Sequence, residues 1–148
     1  MITVRKAGVD DVPRILDIIE SSISPVWTLA SVQSELDKDD TLFIVAVDEN
    51  TALGFAVFRQ VGDDGELLQI ATCPTARRKG VADKLLHNTL EYAAQKGFCT
   101  VHLEVRVGNA AAIGLYEKHG FKHVRIRADY YNDPNEDALI MVRSTPKC

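Results

Sequence analysis

Two stretches of this chain carry residue types that can do chemistry. The first is a basic turn, Arg77-Arg78-Lys79-Gly80-Val81-Ala82, between an apolar run that ends at Thr72 and a long amphipathic segment. The first four amides of a helix lack intrahelical partners, and the aligned peptide dipoles leave positive potential at that end. A helix that starts inside this turn therefore aims unpaired N–H groups at the point where Arg77, Arg78 and Lys79 gather. Gly80 and Ala82 are small where a ligand has to approach the backbone. Such a site takes an anion, and pyrophosphate fits its chemistry; a strand-to-helix turn that merely happens to be basic is the plainer alternative. Neither the Gly-x-x-x-x-Gly-Lys-Ser/Thr loop nor the Gly-x-Gly-x-x-Gly loop is present.

The second stretch runs from Thr100 to Tyr116. Val101, Leu103 and Val105 alternate with His102, Glu104 and Arg106, so the Glu104 carboxylate shares its sheet face only with those two neighbours. From pattern alone, Glu104 belongs to a half-exposed strand or to an ion pair around Arg106. Asn109, Ala112, Ile113 and Tyr116 fall on one helical stripe, which points Asn109 and Tyr116 the same way two turns apart. Taken alone, Asn109 is a helix N-cap and Tyr116 a core aromatic with a satisfied hydroxyl.

Periodicity supplies the elements that must hold these residues. Glu66 to Thr72 reads as a strand. Val81, Ala82, Leu85, Leu86, Thr89, Leu90 and Ala93 recur at helical spacing in a segment closed by Gly97. Upstream, Ile2 to Arg5 is a short strand, and Asp10 or Asp11 caps a helix with Pro13 in its first turn and Ile15, Leu16, Ile18 and Ile19 on its buried side. Ser21 to Trp27 is a loop, and Thr28 caps a shorter helix carrying Leu29, Val32 and Leu36. Leu42 to Val47 and Ala52 to Gln60 are strands across the hairpin chemistry of Asp48-Glu49-Asn50-Thr51, and Val61 to Gly65 turns into the Glu66 strand. Downstream, Asn109 begins a helix that Gly120-Phe121 ends, and two strands, Lys122 to Tyr130 and Ala138 to Arg143, flank an Asn132-Asp133-Pro134-Asn135 loop. Thr100 to Arg106 follows a strand–helix unit, so a right-handed crossover lays it parallel to the Leu67 strand. The order predicts an α+β domain around one mixed sheet.

Composition narrows the function classes. A chain of 148 residues suits one domain, 1–148, and its 46% hydrophobic and 26% charged residues are ordinary for a globular protein. A net charge of −4 argues against general nucleic-acid binding, so the basic turn stands out as local positive charge suited to a small anion. No apolar segment approaches membrane-spanning length, and the first residues lack the apolar core of a signal peptide, which leads to the expectation of a cytoplasmic protein. Cys73, Cys99 and Cys148, odd in number and scattered, are expected to be free thiols. His119 and His123 have ligand-like spacing, but Gly120 lies between them at a helix end, so no metal site is expected.

The pattern Arg77-x-x-Gly80-x-Ala82 resembles the pyrophosphate loop of the GNAT superfamily of acetyl-CoA-dependent N-acetyltransferases, usually Gln/Arg-x-x-Gly-x-Gly/Ala. The run LEVRVGNAAAIGLYEKHGF from Leu103, with IRADYYNDPNEDALIM after it and ELLQIATCP before the basic turn, is similar to the bacterial ribosomal-protein-alanine N-acetyltransferases within that superfamily. With Trp27 in its loop, the likeness covers nearly the whole chain. Arg77 and Ala82 stand where close relatives often have Gln and Gly, and Gln69-Ile70-Ala71-Thr72-Cys73-Pro74 replaces the commoner Asn-Ile-Ala-Val-Asp-Pro; both changes are conservative for binding through the backbone.

The resemblance implies the GNAT fold, an α/β three-layer arrangement with a mixed sheet of about seven strands flanked by four helices. It implies acetyl-CoA as cosubstrate and no metal. Backbone groups of Ile70, Ala71 and Thr72 would pair with the pantetheine arm like an added strand, and the amides of Arg78, Lys79, Gly80, Val81 and Ala82, beside Arg77, would hold pyrophosphate. Asn109 and Tyr116 would contact the cofactor, with Glu104 as general base and Tyr116 as general acid. Trp27, Tyr130 and Tyr131 would line the acceptor groove; the plainer alternative is that Tyr130 and Tyr131 pack the sheet edge and Trp27 fills the core. The implied acceptor is the N-terminal α-amino group of a ribosomal protein beginning with alanine. A lysine, a small-molecule amine, or a non-catalytic acyl-CoA sensor are the alternatives. An α-amine (pKa about 7.7–8.0) is easier to deprotonate than a lysine (about 10.4) by about 2.5 units, or ~3.4 kcal/mol, which suits a single carboxylate base.

Overall fold

The computed structural model describes residues 1–21 and 27–145. Strands β2 (Thr41–Asp48) and β3 (Thr51–Val61) are joined through Glu49 and Asn50, whose φ values of 48° and 67° make the left-handed two-residue turn that matches the twist of antiparallel strands. β3 turns tightly into β4 (Asp64–Thr72), which starts two residues earlier than the alternation suggests because the turn itself is so short. β1 (Thr3–Lys6) pairs with the outer edge of β2. From β1 the chain enters a 3₁₀ turn, where the Asp11 carboxylate accepts from both Arg5 guanidinium nitrogens (2.8 and 2.9 Å) and from the Gly8 amide (2.8 Å). Asp11 thus fixes the approach to helix α1 (Val12–Glu20) rather than capping it by its side chain. Thr28 does cap α2 (Leu29–Leu36), accepting from the Ser31 amide at 3.1 Å. Of the expected loop from Ser21 to Trp27, residues 22–26 lie outside the described residues.

Helix α3 (Val81–Gln95) ends in a Schellman motif, with Phe98 N–H donating to Ala93 and Gly97 N–H to Ala94; α4 (Ala110–Lys118) ends the same way, with Phe121 to Tyr116 and Gly120 to Glu117. Between them lies β5 (Thr100–Arg106), and β6 (Lys122–Tyr131) and β7 (Glu136–Ser144) finish the described chain. The seven strands form one sheet in the order β1-β2-β3-β4-β5-β7-β6, flanked by the four helices. Every neighbouring pair is antiparallel except β4–β5, which is parallel as the crossover rule requires. The core gathers Ile15, Ile18 and Ile19 of α1, Phe55 and Phe58 of β3, and Leu85 and Leu86 of α3, all essentially inaccessible. Gly54 makes room for this packing: a Cβ there would lie 2.7 Å from the Ala71 carbonyl and 2.9 Å from Val81, so a larger residue would push the first turn of α3 off the sheet.

Two features of the sheet shape the site. The β4–β5 ladder holds only the pairs Gly65↔Val101, Glu66↔His102 and Leu67↔Leu103, although β4 continues to Thr72 and β5 to Arg106. The strands part beyond that point. At the same place the β3–β4 register slips, pairing Phe58 with Leu67 and Val57 with Gln69, so Leu68 is the extra residue of a bulge.

The expectation of three free thiols fails at Cys99, which is disulfide-bonded, whereas Cys73 is a free, buried thiol. Sequence spacing hides the reason: β7 pairs with β5 and carries the end of the chain back to Cys99, whose carbonyl accepts from the Thr145 amide at 2.9 Å. Cys148 lies outside the described residues. Among the described residues, no helix is long and apolar enough to cross a membrane, and no cluster of potential metal ligands occurs. His119 and His123 each contact a carboxylate instead, Asp83 and Glu117 respectively.

Candidate active site

Where β4 and β5 part, a cavity of about 900 Å³ opens. Its walls bring together Ile70, Ala71 and Thr72 of β4, Arg77, Arg78, Gly80, Val81 and Ala82 of the basic turn, Glu104 of β5, Asn109 and Tyr116 of α4, and Trp27, Tyr130 and Tyr131. Of the residues that the family resemblance assigns to the site, Lys79 alone does not line it.

At one end the wall is mostly backbone. Arg78 and Gly80 adopt left-handed conformations (φ 65° and 80°), and Gly80 is the N-cap of α3, its carbonyl accepting from the Lys84 amide at 3.1 Å. Concave backbone of this kind groups N–H donors into an anion-binding nest, and the helix dipole adds to it. A Cβ at Gly80 would meet nothing within 4 Å, so glycine serves the backbone conformation here and leaves the approach open. Asp83, in the first turn of α3, also lines the cavity; it accepts from His119 (2.9 Å) and Lys118 (3.1 Å), and these contacts, His119 first, hold its carboxyl below the usual range. Nothing in the sequence pattern pointed to it.

At the other end the wall is mostly side chains. The Glu104 side chain is 27% exposed, and its Oε1 lies 3.8 Å from Arg127, not from the Arg106 that its own strand suggests. Its other oxygen, Oε2, is buried and has no hydrogen-bond partner. Hydrogen bonding to Glu104, followed by burial and the nearby charge, raises the Tyr130 phenol. Tyr131 sits edge-on to Tyr130, with ring centroids 4.9 Å apart, and burial followed by Glu104 pushes it up to about 12. Tyr116 is buried against Phe121 (5.8 Å between centroids), and burial drives its phenol well above the ordinary value, with Tyr131 adding to the effect. Asn109 is the N-cap of α4, its Oδ1 accepting from the Ala112 amide at 3.2 Å, while it also lines the cavity. Trp27 borders the cavity and packs against the core at once.

Sequence reasoning missed what holds the aromatic pair. Arg106 is only 4% exposed. It donates to the Pro134 carbonyl (2.8 Å) and the Asn132 carbonyl (3.1 Å), pairs with Glu136 (3.3 Å), and stacks over the Tyr131 ring at 4.5 Å. Glu136 in turn accepts from the Gly108 amide at 2.6 Å. Arg106 therefore ties the β6–β7 loop to β5 and sets where Tyr131 stands. No local signal in the sequence says that a loop from about thirty residues downstream will bury it.

Residues 12–121 match the acetyltransferase (GNAT) family model. The chain belongs to this family, and it is an acetyl-CoA-dependent N-acetyltransferase with the GNAT fold. The ribosomal protein bS18-alanine N-acetyltransferase of Escherichia coli (strain K12) is 43% identical over 89 residues, 59% of this chain and 60% of that protein. The crystal structure of the Escherichia coli enzyme superposes with a TM-score of 0.89 at 32% identity, covering 97% of this chain and 94% of that one. An N-alpha-acetyltransferase of Saccharolobus solfataricus is 31% identical over 158 residues, covering 95% of this chain and 92% of that protein.

Proposed function

We propose that this chain acetylates the N-terminal α-amino group of a protein, most specifically a ribosomal protein whose mature chain begins with alanine, with Glu104 as general base and Tyr116 as general acid. The observation that carries the reading is the buried Glu104 Oε2 without a partner. A buried carboxylate oxygen left unsatisfied is costly unless a ligand completes it, and an incoming amine supplies the missing donor. The names of the relatives, acting on bS18 and on N-terminal α-amines, support the same class of acceptor.

The cavity suits acetyl-CoA. The open approach at Gly80, the left-handed turn and the helix N-terminus offer the pyrophosphate its donors, chiefly the amides from Arg78 to Ala82, and the β4 edge at Ile70, Ala71 and Thr72 suits pairing with the pantetheine amides. Acetyl-CoA supplies an acetyl group activated as a thioester. Glu104 takes the proton that the amine must shed before it attacks. Tyr116, kept protonated by its burial, donates to the departing thiolate. The raised phenol is protonated when the thiolate forms, and the phenolate left after transfer readily regains a proton from solvent as the product leaves. Trp27, Tyr130 and Tyr131 flank the route by which an extended peptide end reaches Glu104.

Mass spectrometry of peptides incubated with the protein and acetyl-CoA tests the acceptor class. Peptides with a free N-terminal Ala or Ser should gain one acetyl group on the α-amine. Acetylation of lysine side chains at equal rate, or of small amines alone, would overturn the reading.

A further inference from the structure

We propose that Lys118 and His119, at the end of α4, are positioning residues for the acetyl-CoA pyrophosphate: the Lys118 ammonium and the His119 N–H offset the Asp83 carboxylate so that the N-terminus of α3 is free to take a second negative charge. The inference rests on reading the turn from Arg77 to Ala82 as the pyrophosphate site.

Asp83 stands in the first turn of α3 and lines the cavity. A carboxylate there suits the helix, but it competes with an anionic ligand for the same partial positive charge. Like charges held close in a partly enclosed site repel strongly, because solvent screens them less. The structure answers this with two donors on one oxygen: Asp83 Oδ1 accepts from Lys118 Nζ at 3.1 Å and from His119 Nε2 at 2.9 Å. An ionised carboxylate only accepts, so Nε2 is the protonated nitrogen of the imidazole.

His119 is not a loose surface group. Its side chain is 17% exposed, it is the C-cap of α4, and its carbonyl accepts from Arg143 Nε at 2.9 Å. The catalytic reading uses neither His119 nor Lys118. The contacts also bridge the two walls of the cavity, since α3 follows β4 and α4 follows β5, the strands that part. A purely mechanical brace and a charge neutraliser predict different rescue behaviour.

The test measures steady-state kinetics with acetyl-CoA and with acetyl-pantetheine, which carries the same thioester without phosphates. Replacing both residues (Lys118→Ala, His119→Ala) should raise KM for acetyl-CoA about three- to tenfold with kcat nearly unchanged and KM for acetyl-pantetheine unmoved. Adding Asp83→Asn should return KM for acetyl-CoA toward the parent value, because the uncompensated charge is gone. Lys118 is two-thirds exposed, so Lys118→Ala alone, with about a twofold rise, serves where the double variant fails to fold. An equal rise with both donors, no rescue by Asp83→Asn, or no rise at all would overturn the proposal. Gly80→Val separates its failure from that of the pyrophosphate reading: retained acetyl-CoA affinity in Gly80→Val removes the site itself, whereas lost affinity there with unmoved KM in the α4 variants removes only the role of Lys118 and His119.

Discussion

The two ends of the cavity are made of different materials. The end that we assign to the cofactor is backbone: a bulged strand edge, a left-handed turn and a helix N-terminus, all contributed by the contiguous segment from β4 to the start of α3. The end that we assign to the acceptor is side chains, with Trp27, Glu104, Tyr130 and Tyr131 drawn from three places far apart in the chain, and with Arg106 and Arg127 stacked on the two tyrosines. Backbone sites depend on conformation and tolerate changes of side chain. Side-chain sites depend on long-range packing, so each residue there is exposed to changes elsewhere.

If the contrast is right, the largest effect belongs to a single side chain at the acceptor end. Glu104→Gln keeps the shape and removes the base, so kcat/KM at neutral pH should fall about 10²- to 10⁴-fold. The loss should shrink as pH rises through the amine pKa, about 7.7–8.0 for an α-amine, because the acceptor then arrives deprotonated. A pH–rate profile parallel to that of the parent enzyme would remove Glu104 from the chemistry.

Next in size is a change that tests whether the acceptor wall is also core. Tyr131 is 7% exposed and stacked beneath Arg106. Tyr131→Ala should cost about 3 kcal/mol and lower Tm by about 10 °C, in addition to weakening the acceptor side. A thermal melt unchanged from the parent would mean that the wall is independent of the core.

The cofactor end should break through backbone strain instead. Gly80→Val forces a β-branched residue into φ near +80°, which costs about 1–2 kcal/mol of local conformation and sends a side chain into the approach. Acetyl-CoA affinity measured by calorimetry should drop at least about tenfold, while Arg77→Gln, which leaves the backbone alone, should change it far less. Equal losses in the two variants would undo the distinction between backbone and side-chain binding.

The same contrast explains what could be read without coordinates. Elements and their order follow from local periodicity and capping, so β4, the turn, α3, Thr28 and both Schellman ends were legible from the sequence. The parallel β4–β5 pair followed from handedness. The left-handed basic turn at the start of α3 was legible as a candidate anion site because all its parts are neighbours in sequence. Glu104 and Tyr116 could be listed as candidates only by resemblance, since alternation and helical spacing fit a half-exposed strand and a core aromatic equally well. The Leu68 bulge, the burial of Arg106, the Arg127–Glu104 contact and the Asp83–His119 pair arise between elements dozens of residues apart, where no periodicity reports them. The Cys99 disulfide was hidden for the same reason.

The smallest expected effect is the sharpest test of the acceptor end, because it isolates a wall residue that the core does not need. Tyr130 is 41% exposed, with Arg127 stacked on its ring at 4.6 Å and Glu104 acting on its hydroxyl. Truncation to alanine removes one aromatic contact for a peptide and leaves Tyr131 and Arg106 in place. Tyr130→Ala should therefore raise KM for a peptide acceptor by about two- to fivefold, the worth of one partly exposed aromatic contact, with acetyl-CoA affinity and Tm near the parent values. Tyr130→Phe should keep most of the peptide affinity if the ring is what matters. It should lose as much as alanine if the hydroxyl beside Glu104 is what the acceptor meets. A fall in kcat shared by both variants, with the peptide KM unmoved, would shift Tyr130 from holding the peptide to tuning Glu104, and the acceptor groove would then have to be sought along Trp27 instead.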